Sequence, residues 1–122
     1  MGSRILIVED SDDVRQSYAR WFEAADFEVV EARDGSEAQK KTRQRIPDVV
    51  LLDINLPDTD GYTLAEKWSR DPRMQGVPVV VLSGRTGDEH ERRSFRSGAL
   101  IALTKPCLPE MILAAVKGAL PA

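Results

Sequence analysis

The chain has 122 residues, a net charge of −3, 42% hydrophobic and 30% charged residues, which suits one globular domain. The acidic balance argues against a nucleic-acid-binding face, and no apolar stretch approaches the roughly 20 residues of a membrane span. A single cysteine, Cys107, excludes an internal disulfide, and no charged start with an apolar run marks a signal peptide, so the cytoplasm is the expected compartment.

Strand and helix signals alternate along the chain. Arg4 to Val8 is apolar and β-branched, and Ser11 or Asp12 can cap a helix after it. On that helix Val14, Tyr18, Trp21 or Phe22, and Ala25 recur at helical spacing. Phe27 to Val30 reads as a short strand. Asp34-Gly35-Ser36 is a turn and N-cap, followed by a helix over Glu37 to Arg45 that is polar on most of its surface. Pro47 stops it before the run Val49-Val50-Leu51-Leu52-Asp53, a strand buried on both faces. Gly61 to Ser69 forms the next helix, with Leu64, Ala65 and Trp68 inward. A loop over Asp71 to Gly76 leads to a strand over Val77 to Leu82.

Asp88 to Ser97 is expected to be helical, with Phe95 its one large apolar anchor. So sparse an inner face gains little from packing, which points to a mobile or displaced helix serving as a partner surface. Gly98 turns into a fifth strand ending at Thr104. Pro109 suits the first turn of a last helix, with Met111, Ile112, Ala115, Val116 and Ala119 inward. Five strand–helix units imply an α/β fold, a doubly wound parallel sheet covered on both sides. The chain ends soon after the last helix, so one domain over 1–122 without an output domain is expected.

In a parallel sheet the strand C-termini share one edge, where open α/β sheets bind ligands. Four runs deliver polar groups there: Glu9-Asp10 after Val8, Asp53 after Leu52, Ser83 after Leu82, and Lys105 after Thr104. Packed carboxylates repel, and a divalent cation relieves the repulsion; magnesium prefers oxygen ligands and often a phosphate oxygen. A lysine aimed at the site can neutralise an incoming phosphoryl group, and a hydroxyl can donate to it. Each feature alone has an ordinary alternative: a solvated acidic loop, a capping Asp, a turn hydroxyl, a surface lysine. Together they describe a magnesium-assisted phosphoryl site.

The segments Val8-Glu9-Asp10, Leu52-Asp53-Ile54-Asn55-Leu56-Pro57-Asp58-Thr59-Asp60-Gly61, Val81-Leu82-Ser83-Gly84 and Thr104-Lys105-Pro106 follow in order, with Gly98-Ala99 before the fifth strand. In this set the chain resembles the response-regulator receiver domain of two-component signalling. The resemblance implies a flavodoxin-like strand order 2-1-3-4-5 with five helices. It implies that Asp53 accepts a phosphoryl group from a phosphohistidine of a histidine kinase or phosphotransfer protein. It further implies Mg2+ held by Asp10, Asp53 and the backbone carbonyl of Asn55, with Glu9 acting mainly through a metal-bound water or helping to position the ion. Ser83 and Lys105 would contact the phosphoryl group, the Lys105–Pro106 bond would be cis, and an unknown output protein or domain would read the switch.

Two departures concern that output. Ala102 stands where the family usually has an aromatic residue that swings with the hydroxyl residue, and Cys107 stands where an apolar aromatic is common. Cys107 reads as a small, partly buried hydrophobe, His90 as an exposed helical residue, and Arg92, Arg93 and Arg96 as a solvated face. Ala102 and the sparse 88–97 segment leave open a receiver-like interaction module that works without phosphorylation. A phosphatase of the haloacid-dehalogenase type is disfavoured, because its second Asp would fall at Asn55.

Overall fold

The computed structural model describes residues 2–84, 92, 93, 96, 98 and 101–121. Five strands, β1 (Arg4–Val8), β2 (Glu28–Ala32), β3 (Val49–Asp53), β4 (Val79–Ser83) and β5 (Ile101–Thr104), form one sheet in the order β2-β1-β3-β4-β5. Every neighbouring pair is parallel. Four helices lie among the described residues: α1 (Asp12–Ala24), α2 (Gly35–Gln44), α3 (Gly61–Arg70) and a C-terminal α4 (Pro109–Ala119). The expected helix over 88–97, with Phe95 and His90, lies outside the described residues except for Arg92, Arg93 and Arg96.

The alternation of a strand splits each apolar run between the two faces of the sheet. Leu6, Val8, Val50, Leu52 and Val81 pack with Ala38, Tyr62, Leu64, Ala65 and Trp68 of α2 and α3. Ile5, Ile7, Val49, Leu51, Val80 and Leu82 pack with Tyr18, Ala19 and Phe22 of α1 and Ile112 and Val116 of α4. β3 and β4 are buried at all five positions, which is why their sequences are continuous apolar runs.

Local chemistry sets the helix ends. Ser11 caps α1 by accepting from the Val14 N–H at 3.4 Å, and Asp34 caps α2 by accepting from the Glu37 N–H at 2.8 Å. Asp60 caps α3 by accepting from the Tyr62 N–H at 2.8 Å. Beyond α1 the chain reverses at Asp26, which takes φ 73°, while Phe27 N–H donates to the Phe22 carbonyl at 2.9 Å; Asp is among the few non-glycine residues that tolerate this conformation. The loop over Asp71 to Gly76 contains a short 3-10 turn, Pro72–Met74.

Two helix faces differ from expectation. On α1 the buried set is Arg15, Tyr18, Ala19 and Phe22, and Val14 is 36% exposed. A charged residue takes the place of an apolar one because its polar atoms all find partners. On α4 only Ile112 and Val116 are fully buried, and Met111 is 53% exposed. Trp68 is a core residue and Trp21 is half-buried, its ring 5.3 Å from that of Tyr18.

Candidate phosphoacceptor site

Strand register builds the site. Val8 pairs with Leu52, so Glu9 and Asp53 stand on neighbouring strands at the same level. Asp53 pairs with Leu82, and Ser83 pairs with Thr104, which brings Lys105 to the same edge. The strand order reverses between β1 and β3, and the crevice outside that switch point is where sheets of this kind hold ligands.

Asp53 is 4% exposed. Its Oδ1 accepts the Asn55 N–H at 2.8 Å, and its Oδ2 lies 2.5 Å from Lys105 Nζ. Burial alone would raise its pKa; the neighbouring Glu9 carboxyl, Lys105 and the Asn55 N–H outweigh burial and hold it below the ordinary value. Glu9 is also 4% exposed. Its Oε1 accepts the Ser11 N–H at 3.2 Å, while Oε2, 3.8 Å from Lys105 Nζ, has no hydrogen-bond partner among the described residues. Burial, and then the adjacent Asp53 carboxylate, push its pKa up to about 8. Two buried carboxylates thus face one lysine. Lys105 is itself held charged: desolvation opposes, but Asp53 and Glu9 raise its pKa.

Supporting contacts fix these groups. Lys105 N–H donates to the Ser83 carbonyl at 2.7 Å, tying β5 to β4, and the Lys105–Pro106 bond is cis. Gly61 N–H donates to the Ile54 carbonyl at 2.8 Å, closing the loop after Asp53. A Cβ at Gly61 would lie 2.7 Å from the Asp53 carbonyl oxygen and from Ile54 Cα. Here glycine is required by close approach of backbone.

The structure therefore brings Glu9, Asp53 and Lys105 into contact, with Ser83 fully buried at the next strand end. Asp10 is exposed and makes no hydrogen bond or ion pair among the described residues, which gather no three His, Cys, Asp or Glu side chains around one point. Asn55 contributes its N–H here, and its side chain is exposed.

Two residues were not singled out from sequence, and a third was expected in another role. Arg15 reaches Glu9, Asp12 and Glu31 at once; only its spacing of three from Asp12 was a local signal. Asp58 accepts the Gly35 and Ser36 N–H groups at 2.8 and 2.9 Å, so the loop after Asp53 is strapped to the start of α2. Arg93, expected on a solvated face, pairs with Asp60 at 2.8 Å and lies 4.8 Å from the Tyr62 ring centroid.

The profile of the response regulator receiver domain matches residues 5–117. The chain belongs to the response-regulator receiver family. It is 32% identical over 120 residues to the phosphate regulon transcriptional regulatory protein PhoB of Pseudomonas aeruginosa, covering 98% of this chain and 52% of PhoB. It is 36% identical over 118 residues to the response regulator PleD of Caulobacter vibrioides, covering 96% of this chain and 26% of PleD. The chain thus spans about half the length of PhoB and less of PleD. Among solved structures, the chemotaxis protein CheY4 of Vibrio cholerae aligns with a TM-score of 0.92 at 28% identity, over 98% of this chain and 100% of that one. A putative response regulator from Chloroflexus aurantiacus aligns at 0.91 and 29%, over 98% of each chain. This receiver domain has the family's strand order, and no described helix is long and apolar enough to cross a membrane.

Cys107 is half-buried against the core of the α1 and α4 face, as a small hydrophobe would be. Ala102 is exposed on β5, so no aromatic ring stands at that position.

Proposed function

We propose that Asp53 is the phosphoacceptor of a two-component switch, taking a phosphoryl group from the phosphohistidine of a histidine kinase or phosphotransfer protein in a magnesium-dependent reaction. The observation that supports this best is the strand-edge contact: a buried carboxylate paired with Lys105 at 2.5 Å and flanked by a second buried carboxylate. A purely structural ion pair gains nothing from Glu9, whose Oε2 is buried without a hydrogen-bond partner among the described residues.

That orphaned oxygen and the all-oxygen donor set fit a hard dication. Glu9, Asp10, Asp53 and the Asn55 carbonyl would hold Mg2+, with Glu9 acting mainly through a bound water. Bound Mg2+ would offset the carboxylate charge and the charge of the phosphoryl oxygens. The chain's own residues do the rest. A carboxylate oxygen of Asp53 forms a bond to phosphorus as the imidazole N–P bond breaks, and the imidazole keeps that electron pair. The Asn55 N–H and Lys105 keep the nucleophile ionised and aimed. Lys105 and the Ser83 hydroxyl then meet the phosphoryl oxygens, which carry the spread charge of a loose transition state. Water attack on the acyl phosphate later restores Asp53.

The consequence is a change in what an output protein or domain binds, in the cytoplasm. One observation favours a second reading, an interaction module indifferent to phosphate: β5 exposes Ala102 where an aromatic reporter is usual. Intact-mass spectrometry after incubation with phosphoramidate separates the two. The proposal expects one phosphoryl adduct that needs Mg2+ and is lost in Asp53→Asn. No adduct from phosphoramidate or from a phosphorylated histidine donor would favour the second reading.

A further inference from the structure

Arg15 is buried to 8% exposure on α1, and each branch of its guanidinium is used. Nη1 donates to the Glu9 carbonyl at 3.0 Å, Nη2 to Asp12 Oδ1 at 2.7 Å, and Nε to Glu31 Oε1 at 3.0 Å. The Glu9 carbonyl belongs to the peptide that joins Glu9 to Asp10. On its other side, the Glu9 N–H donates to the Ala32 carbonyl of β2 at 3.1 Å. Glu9 is thus held between β2 and α1, and the chain leaves it toward Asp10 in one direction. The fork is planar and rigid, so three acceptors fix its orientation.

We propose that Arg15 is a positioning residue for divalent-cation binding: it pins the Glu9–Asp10 peptide so that both carboxylates are presented to the ion from a fixed backbone. The inference rests on the magnesium-dependent reading of the site. Geometry and charge make opposite predictions here. Arg15 is a cation beside a cation site, and it offsets Asp12 and Glu31. If it acted by charge alone, its removal would leave the site more negative and tighten Mg2+ binding. If it acts by placement, its removal weakens binding. Arg15→Lys keeps the charge but cannot reproduce three fixed contacts, so placement predicts weaker binding in that variant and charge predicts none.

The test is an amide chemical-shift titration with MgCl2 on ¹⁵N-labelled wild type, Arg15→Lys and Arg15→Gln, following Asp10 and Ser11. Arg15→Lys, which retains the stem and charge, guards against a misfolded Arg15→Gln, and spectral dispersion reports folding of each. Removing a residue that orients ligands typically weakens metal binding about 10- to 100-fold. Arg15→Lys is expected to raise the Mg2+ dissociation constant by about tenfold. At saturating Mg2+, its labelling rate with phosphoramidate should return to near wild type, which a merely structural lesion would not allow. An unchanged constant in folded Arg15→Lys, or a tighter one in folded Arg15→Gln, overturns the inference while leaving the site's function standing. A wild type that shows no Mg2+-dependent shift overturns both.

Discussion

Glu9→Gln should stabilise the metal-free protein, and more so as pH rises. The Glu9 pKa stands at about 8, against 4.5 for the free side chain. Between these values the native state holds a proton that the unfolded chain has lost. Stability therefore falls as pH rises from about 4.5 to about 8, and the full cost is present above that. At about 1.4 kcal/mol per pH unit the upper bound is about 5 kcal/mol. The Lys105 side chain is 34% exposed, so water reaches the pair and screens part of it. We expect roughly 3 kcal/mol between pH 5 and 8.5, a large share of the stability of about 5–15 kcal/mol that a domain has. Glutamine is neutral at every pH and keeps most of the shape. Urea denaturation in EDTA should show wild type losing stability across this range, with Glu9→Gln nearly flat and more stable at pH 8.5. Saturating Mg2+ should reverse the order by stabilising wild type selectively. A wild type as stable at pH 8.5 as at pH 5, or a variant that tracks it, would refute the picture of two buried carboxylates sharing one lysine.

Three further outcomes follow from the same geometry. Lys105→Met removes the cation 2.5 Å from Asp53; labelling by phosphoramidate should fall by at least tenfold, and thermal melting should show a loss of about 1–3 kcal/mol from the uncompensated carboxylate. Gly61→Ala forces a methyl to within 2.7 Å of the Asp53 carbonyl; it should lower both melting temperature and labelling rate, whereas Gly118→Ala, in open space within α4, should lower neither and should raise the melting temperature slightly through helix propensity. Asp58→Ala frees two N–H groups at the start of α2; denaturation should show a cost of about 1–2 kcal/mol, with hydrogen exchange accelerated at Gly35 and Ser36.

Much of the fold was legible because its signals are local. Continuous Val and Leu runs mark β3 and β4 as fully buried, and Ser11 and the Asp34-Gly35-Ser36 turn mark helix starts whose caps the structure contains. The convergence of Glu9, Asp53 and Lys105 was legible for a different reason: parallel strands share an edge, so residues that end successive runs must meet. Arg15 was not legible as a buried residue. By type it belongs on the surface, and two of its three acceptors, Glu9 and Glu31, become neighbours only once the sheet forms. Asp58 reads as a turn residue, yet it caps a helix 22 residues earlier. The apolar face of α4 was overdrawn, since Met111 has the right spacing but stands 53% exposed. Periodicity tells which way a side chain leans, not how far the neighbouring element reaches to cover it.

In the proposed reaction Asp53, and no other carboxylate at this edge, carries the phosphoryl group. Borohydride reduction of the phosphoramidate-treated protein, followed by peptide mapping, tests it directly, because an acyl phosphate on Asp is reduced to homoserine. Homoserine is expected at position 53 alone, and only with Mg2+. Reduction at Glu9 or Asp10, or an adduct that survives at Lys105 or His90 with position 53 unchanged, would contradict it.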